Sequence, residues 1–236
     1  MNTYHYTEDS YEQTILDLFK EMGYDYRYGP ELEQETARDL EDASISCITR
    51  KQLLVINGAT KQLAIEEAMR QLHAIQNEPL LSANIKMTEW LQQGLDVSYR
   101  ANDGQIRCDH LKLIDQDNID NNVFTVVNQW TIVNGTNTKR ADIVVELKSP
   151  TREVTNSEEA WLQLQNYMRR VPQLFTACQL CVISDMADTR VGSITAPLDR
   201  FMEWKTTDGS YESTSVADFE TLFNGMFKKE RLVDII

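Results

Sequence analysis

Glu146 and Lys148 are two residues of opposite charge in a strongly apolar segment, residues 140–150. Because side chains alternate between the two faces of a strand, Glu146 and Lys148 share one face and Leu147 points into the core behind them. Carboxylate oxygens suit Mg²⁺, so a carboxylate and a cation on a rigid strand predict a site for a divalent metal and a water. The metal would lower the pKa of that water and neutralise charge developing on a phosphate. Lys148 would orient or activate the water and offset charge in the transition state.

The Glu146–Lys148 pair also has an ordinary structural explanation, because a glutamate and a lysine on an edge strand often pair or face solvent. Two features favour function. The segment is otherwise hydrophobic, so polar groups in it need a reason. The helix predicted over residues 156–170 carries Gln163 and Tyr167 one turn apart. At ~100° per residue these two lie ~40° from each other, on the margin of an apolar stripe, although amphipathicity alone would also explain their position.

Capping residues, apolar periodicity and turn residues predict the elements that position these side chains. Helices are predicted from near Ser10 to Gly23 and over residues 60–76, 82–93, 156–170 and 215–236. Strands are predicted over residues 97–99, 110–114, 123–133, 141–147 and 180–184. Residues 31–45 are strongly acidic and predict a solvated helix or loop. The order is a helical part, a sheet, a helix, a strand and a helix, which is a mixed α/β arrangement.

The composition excludes several classes of protein. The chain has 236 residues, 42% of them apolar and 25% charged, which excludes collagen, a disordered tail and a coiled coil. Its apolar runs are too short to cross a bilayer and its N-terminus has no signal-peptide pattern, so we expect a cytoplasmic protein without membrane contacts. Its 37 acidic and 23 basic residues give a net charge of -14, which argues against strong DNA binding by this chain alone. Metal-dependent nucleases nevertheless need carboxylates, and a partner domain can supply a basic groove.

The cysteines and histidines give little support to other chemistries. Cys178 and Cys181 form the one CxxC pair of the sequence, with no second pair to complete a zinc site. They lie just before or inside an apolar run, so we interpret them as buried free thiols. The three histidines, His5, His73 and His110, are widely spaced and do not favour a histidine-based triad.

Asp142, Glu146-x-Lys148 and Gln163-xxx-Tyr167 together resemble the PD-(D/E)xK nucleases, in the branch that carries a QxxxY motif. A wider string of segments is more specific. It runs in order through Asn128-Gln129-Trp130-Thr131-Ile132, Glu146-Leu147-Lys148-Ser149-Pro150, Ala160 with Gln163-Leu164-Gln165-Asn166-Tyr167, Pro172-Gln173-Leu174-Phe175, Val182-Ile183-Ser184-Asp185, Arg190-Val191-Gly192-Ser193, Phe201 with Trp204-Lys205, and Phe223-Asn224-Gly225-Met226-Phe227. These segments resemble the N-terminal endonuclease domain of the restriction (motor) subunit of type I restriction-modification enzymes. The resemblance is strong from Asn128 onward and weak over residues 31–75.

The resemblance implies a PD-(D/E)xK restriction-endonuclease-like core, a mixed central sheet flanked by helices, that cuts double-stranded DNA with Mg²⁺. Asp142 and Glu146 would bind the metal, and Lys148 would serve the attacking water. Gln163 and Tyr167 would support the site or the DNA backbone.

The first helix and the domain order also follow from the resemblance. An acidic residue on that helix can approach the metal in related nucleases; Glu12 is the candidate and Glu8 the next. We expect residues 1–96 to form a helical part packed on the core. Residues 97–236 would form the nuclease core and a C-terminal helix leading toward a motor domain.

The sequence has no Gly-x-x-x-x-Gly-Lys-Ser/Thr phosphate loop. In the family an ATP-driven translocase follows this domain, so we expect an isolated nuclease fragment. ATP would serve only the absent motor, which would also hold the DNA. The expected partners are double-stranded DNA and the methyltransferase and specificity subunits of the restriction complex.

The spacing of Asp142 and Glu146 departs from the family pattern, in which these residues lie on two neighbouring strands of a hairpin. On one extended strand, four residues at ~3.3 Å would put them ~13 Å apart. Two carboxylates that bind one Mg²⁺ at ~2.1 Å must approach within a few ångströms of each other. Either a hairpin of roughly ten residues is missing between them, or the protein is inactivated by deletion. We favour the first and expect a spatial break between Asp142 and Glu146.

Two alternatives to the restriction endonuclease stay open. Another nuclease of the same superfamily, such as a repair exonuclease, is disfavoured by the ordered motifs around Ser184, Trp204 and Gly225. A catalytically silent module that docks on DNA or partner subunits is favoured by the short spacing between Asp142 and Glu146.

Overall fold

The computed structural model describes residues 8–141, 145–147, 157–184, 188–207 and 219–236. The helices are α1 (Glu8–Glu21), α2 (Gly29–Thr36), α3 (Ser46–Asn57), α4 (Gln62–Ala74), α5 (Leu80–Gln93), α6 (Ser157–Arg170), α7 (Phe219–Met226) and α8 (Lys229–Ile235). The strands are β1 (Asp25–Tyr28), β2 (Leu95–Arg100), β3 (Ile106–Leu111), β4 (Thr125–Asn128), β5 (Trp130–Asn134), β6 (Asn137–Ala141), β7 (Val145–Leu147), β8 (Cys181–Ser184), β9 (Thr189–Gly192) and β10 (Met202–Glu203). Short 3₁₀ turns cover Ile75–Asn77, Ile119–Asn121, Pro172–Phe175 and Leu198–Arg200.

The four-stranded sheet has the order β10-β9-β8-β7, so β7 forms one edge of it among the described residues. β7 runs parallel to β8, with Glu146 opposite Ile183 and Leu147 opposite Ser184. β9 is antiparallel to both of its neighbours, β8 and β10. Three two-stranded pairs complete the strands: parallel β1–β4 and the antiparallel pairs β2–β3 and β5–β6.

Helices cover both faces of the four-stranded sheet. Val182 of β8 packs in one cluster with residues of α1 and α7, including Ile15 and Phe223. Ile183, the next residue of β8, packs in another cluster with Leu164 of α6. This alternation is what a strand buried on both faces requires. It places α1 and α7 on one side of the strand that neighbours β7, and α6 on the other.

The N-terminal helices form a second packed region around the β2–β3 ribbon. Buried residues of α4 at one-turn spacing, such as Ala64 and Ala68, contact Leu95 and Val97 of β2 and Leu111 of β3. Apolar residues at this spacing form a single stripe on a helix, which explains why the segment is helical and which face it buries.

Most long elements agree with the prediction, and the fold is mixed α/β as predicted. The predicted helices over 60–76, 82–93 and 156–170 correspond to α4, α5 and α6, and the first helix to α1. α5 ends before Gly94, whose φ of 90° is the left-handed conformation that glycine adopts without strain. The described residues form small sheets and flanking helices that are consistent with a nuclease-like α/β fold.

Several predicted boundaries were wrong. The strand predicted over 123–133 is broken at Gln129, whose φ of 53° interrupts the extended backbone and separates β4 from β5. The strand predicted over 110–114 ends at Leu111. The predicted C-terminal helix is two helices, α7 and α8, and its first part, residues 215–218, lies outside the described residues.

Helix α3 and strands β1, β6, β9 and β10 were not predicted, and most of α2 falls in the acidic segment that was predicted to be a solvated helix or loop. The acidic segment 31–45, which was predicted to be solvated, holds the buried Leu32 on α2. It also holds Arg38, whose guanidinium carbon lies 3.8 Å from the Trp130 ring centroid and whose side chain is 2% exposed. This segment therefore packs on β5 rather than forming a solvated face.

The N-terminal residues contact strands of the predicted core. β1 pairs with β4, and α1 packs on β8, although both precede residue 97. The boundary at 96–97 stays a prediction. No helix in the described ranges is long and apolar enough to cross a membrane.

Candidate active site around strand β7

Strand β7 carries Glu146 at its centre, between Val145 and Leu147. The register with β8 fixes the Glu146 backbone opposite Ile183, which is 1% exposed. Asp142, Lys148 and the Glu146 side chain lie outside the described residues, as does the segment in which a spatial break is expected. The break and the metal-binding roles of Asp142 and Glu146 therefore stay predictions.

The two helices that carry the other predicted residues contact β7. Both α1, which carries Glu12, and α6, which carries Gln163 and Tyr167, contact β7. α6 lies against the sheet because its residues Ala160 and Leu164 are buried there. Its side chains at Gln163 and Tyr167 flank that buried stripe and are half-buried.

Gln163 and Tyr167 contact each other directly. The Gln163 amide Nε2 donates a hydrogen bond to the Tyr167 hydroxyl over 3.1 Å. The Tyr167 side chain packs against two apolar clusters, one that contains Leu164 of α6 and one that contains Trp130 of β5. Lys139 of β6 lies with its ammonium 5.5 Å from the ring centroid. The tyrosine is thus held by packing, and the glutamine is oriented by the tyrosine.

Glu12 is fixed by two amide side chains at the junction of β4 and β5. Its Oε1 accepts a hydrogen bond from Asn128 Nδ2 at 2.7 Å, and its Oε2 accepts one from Gln129 Nε2 at 3.4 Å. Asn128 is 8% exposed, and its Oδ1 accepts a hydrogen bond from the Tyr26 hydroxyl at 3.1 Å. A carboxylate has about four lone-pair positions, so Glu12 keeps acceptor capacity for a cation beyond these two bonds.

The junction that holds Glu12 depends on a glycine. A Cβ on Gly29 would lie 2.6 Å from the Asn128 carbonyl oxygen and 2.7 Å from that of Gln129. No real Cβ tolerates such distances to backbone atoms, so only glycine fits there. Asn128 and Gln129 belong to a segment that resembles the family, but their contact with Glu12 was not predicted. Because 116 residues separate Glu12 from Asn128, local sequence carries no signal for this contact.

A buried hydrogen-bond chain ties α1 to the strand beside β7. The Tyr11 hydroxyl lies 2.5 Å from Ser184 Oγ, which lies 2.6 Å from Thr189 Oγ1 on β9. Tyr11 is fully buried, and Ser184 is opposite Leu147 of β7. Tyr11 was also missed, although it stands one turn before Ile15 and extends the apolar stripe of α1. These buried hydrogen bonds fix α1, the helix that carries Glu12.

The described residues do not by themselves form a metal site. Within them no group of three or more His, Cys, Asp or Glu side chains is arranged to hold a metal ion. Glu12 offers one carboxylate, which is the oxygen donor that Mg²⁺ prefers. The remaining predicted ligands, Asp142 and Glu146, belong to the part whose side chains are not described.

An apolar cavity of about 730 Å³ lies between the core strands and the N-terminal helices. Val126 of β4 and Val182 of β8 line one side, and Leu53 of α3 lines another. Glu12, Gln163 and Tyr167 are not among the described residues that line it. The cavity is therefore not lined by these three predicted site residues.

Cys178 and Cys181 are free thiols with their sulfur atoms 3.7 Å apart. Cys181 is buried, as predicted, whereas Cys178 is half-buried. A hydrogen bond in which the Cys181 thiol donates to Cys178 raises the pKa of Cys181, and burial raises it further. A neutral thiol is a weak ligand and nucleophile, which agrees with a structural role.

Residues 5–200 match the family described as "Type I restriction enzyme R protein N terminus". The match covers most of the chain, and the chain therefore belongs to this family.

Two curated relatives show the same kinship. The chain is 28% identical to the "Type I restriction enzyme HindI endonuclease subunit" of Haemophilus influenzae, over 97% of this chain and 23% of that protein. It is 26% identical to the "Putative type I restriction enzyme MjaIXP endonuclease subunit" of Methanocaldococcus jannaschii, over 95% of this chain and 24% of that protein. The chain thus spans about a quarter of the length of these relatives. Both alignments, over 247 and 264 residues, exceed the 236 residues of this chain, so the relatives carry residues that it lacks.

Proposed function

We propose that this chain is the Mg²⁺-dependent endonuclease domain of a type I restriction subunit and cuts double-stranded DNA. One observation carries the proposal: α1 with Glu12 and α6 with Gln163 and Tyr167 both contact β7, the strand that contains Glu146. Four residues separated in sequence thereby belong to elements that meet at one sheet edge.

Each residue has a defined task in this proposal. Asp142 and Glu146 hold Mg²⁺, which activates a water and neutralises charge on the phosphate that is cut. Lys148 orients that water and stabilises the negative charge that develops. Gln163 and Tyr167 hold the site or the DNA backbone in position. Glu12, fixed by Asn128 and Gln129, is a further and weaker candidate for the metal.

The registers of β6 and β7 support a longer hairpin between Asp142 and Glu146. Ala141 lies opposite Trp130, so a longer β6 would pass the corner at Gln129 and run along β4. Val145 lies opposite Val182 in parallel register, so residues added before it would run along the chain that precedes β8. Both paths lead along the apolar cavity between β4 and β8. A hairpin there would fill the cavity and bring Asp142 beside Glu146.

A second candidate function is a catalytically silent module that docks on DNA or on partner subunits. The spacing of Asp142 and Glu146 favours it, because four residues of extended strand span ~13 Å. In this case the residues of α1 and α6 maintain the fold without a metal.

Cleavage by the assembled restriction complex separates the two functions. We would compare the full-length subunit with its Glu146→Ala variant on unmodified plasmid DNA with Mg²⁺ and ATP. Glu158→Ala is the matched control, since Glu158 is an exposed glutamate on α6. If the chain is an endonuclease, the Glu146→Ala complex loses cleavage and keeps ATP hydrolysis, whereas the Glu158→Ala control keeps both. A wild-type complex that hydrolyses ATP without cutting DNA would favour the docking module.

The remaining parts of the proposal concern the whole restriction complex. ATP serves the motor domains of the subunit and not this chain. The methyltransferase and specificity subunits are the proposed protein partners, and the recognition sequence is proposed to reside in the latter. The cytoplasm is the proposed location, since the proposed substrate is double-stranded DNA.

A further inference from the structure

Two segments of this acidic protein contain no acidic residue. Roughly one residue in six is Asp or Glu over the whole chain, yet residues 121–141 and 160–184 have none. The only charged residues of the two segments are four cations, Lys139, Arg140, Arg169 and Arg170. We call these four residues the basic corner.

The fold brings the two segments together. Asn134 at the end of β5 donates a hydrogen bond from Nδ2 to the carbonyl oxygen of Arg170 at 3.0 Å. Gln173, just after α6, donates from Nε2 to the carbonyl oxygen of Val133 at 3.0 Å. On β6, Lys139 lies 5.5 Å from the Tyr167 ring centroid. The β5–β6 ribbon and the last turn of α6 are therefore adjacent to each other beside Tyr167.

The cations of the basic corner are available to a ligand. Arg140, Arg169 and Arg170 are exposed, and Lys139 is half-buried. Within the described part of the chain, none of the four pairs with a carboxylate. Arg169 and Arg170 each use Nε in a bond within α6, and each guanidinium has four further N–H donors.

A structural role explains only half of the basic corner. Arg169 and Arg170 offset the negative end of the α6 dipole, as cations in a last turn do. This explanation does not extend to Lys139 and Arg140, which lie on a strand. The exposed ribbon tip beyond them, residues 134–136, is polar and uncharged.

We propose that the basic corner binds phosphates of the DNA backbone next to the cleavage site. The proposal rests on the proposed function, because Tyr167 and its helix α6 connect the corner to β7. One guanidinium group binds two oxygens of a phosphate at once, which suits arginine to the regularly spaced phosphates of DNA. The whole chain has a net charge of -14, which repels DNA. The two segments that carry the basic corner contain no acidic residue, so DNA can approach there without repulsion from these segments.

Salt-dependent DNA binding by this chain tests the basic corner. The probe is a fluorescent 30-base-pair duplex with Ca²⁺ in place of Mg²⁺, so that binding is measured without cleavage. Because each phosphate contact contributes a slope of about −0.9 in log K against log salt, four contacts predict about −3.6. The triple variant Arg140→Gln, Arg169→Gln, Arg170→Gln should reduce that slope to about −0.9 and weaken binding at least tenfold at low salt.

A matched control separates the corner from overall charge. Arg50→Gln, Lys51→Gln, Arg70→Gln removes the same charge from exposed positions of α3 and α4. We expect this control to bind DNA within twofold of the wild type, and the triple Arg→Lys variant of the corner to keep the wild-type slope. Circular dichroism and thermal melts establish that all variants are folded.

Two results would overturn the proposal: equal loss in both glutamine variants, or an unchanged slope in the corner variant. An unchanged slope would mean that the corner does not contact DNA phosphates. The outcome is independent of catalysis. If the wild-type protein binds DNA through the basic corner but never cuts it, the proposed role of the corner is supported and the proposed endonuclease function is refuted.

Discussion

Replacing Gly29 by alanine tests whether the junction of β4 and β5 is as tightly packed as the structure shows. Gly29 is buried at the start of α2, and its φ lies outside the left-handed region. In a helix interior with open space, a glycine-to-alanine change would stabilise the protein by about 1 kcal/mol, but Gly29 begins α2 and precedes Pro30, whose ring disfavours a Cβ at this position. Here the new Cβ would lie 2.6 and 2.7 Å from two backbone oxygens. Overpacking of this kind costs about 1–3 kcal/mol, so the expected sign is reversed.

The assay for Gly29→Ala is unfolding in urea together with a thermal melt. For a domain of this size about 1 kcal/mol corresponds to about 2–4 °C, so we expect the melting temperature to fall by about 2–12 °C. Gln34→Ala, an exposed position on the same helix, is the control and should change the free energy of unfolding by less than about 0.5 kcal/mol. A Gly29→Ala protein as stable as the wild type, or more stable, would refute the packing argument.

Three further predictions concern the site. Tyr11→Phe removes the buried hydroxyl that bonds Ser184 and should lower the free energy of unfolding by about 1 kcal/mol, measured in urea; a change near zero would contradict the role of that bond. Glu12→Gln should raise the Mg²⁺ concentration needed for half-maximal cleavage by the assembled complex, whereas Glu21→Gln, exposed at the end of the same helix, should not; equal effects would remove Glu12 from the metal site. Trypsin cuts after Arg140 and Lys148, so the printed sequence would yield residues 141–148 as one peptide. Mass spectrometry of the natural protein should not find this peptide, and should find in its place a segment heavier by about ten residues. Recovery of the peptide 141–148 would favour the docking module.

Elements with strong local signals could be predicted from the sequence. α6 follows a capping pattern and ends before Pro172, and α5 ends before Gly94, because proline and glycine act on their immediate neighbours. The four-residue strand β8 was predicted from its continuous apolar run. The position of Glu146 on a strand followed in the same way from the apolar residues around it.

Elements that depend on distant partners could not be predicted. β1 is a tyrosine-rich segment that becomes a strand only by pairing with β4, about a hundred residues later. The break at Gln129 was missed because a non-glycine residue with positive φ leaves no mark in the sequence. The contact of Glu12 with Asn128 was missed for the same reason as β1, since the partners are brought together by the fold. The packing of Arg38 on Trp130 likewise overrode the solvated character suggested by its acidic neighbours.

Cleavage by the Lys148→Ala variant tests the central claim most directly. The assembled complex would be incubated with unmodified plasmid DNA, Mg²⁺ and ATP, and nicked and linear products would be measured beside ATP hydrolysis and the melting temperature. The account predicts that Lys148→Ala abolishes cleavage and leaves ATP hydrolysis and stability unchanged, because the lysine acts on the attacking water and not in the core. Cleavage at the wild-type rate, or a domain that unfolds, would contradict it.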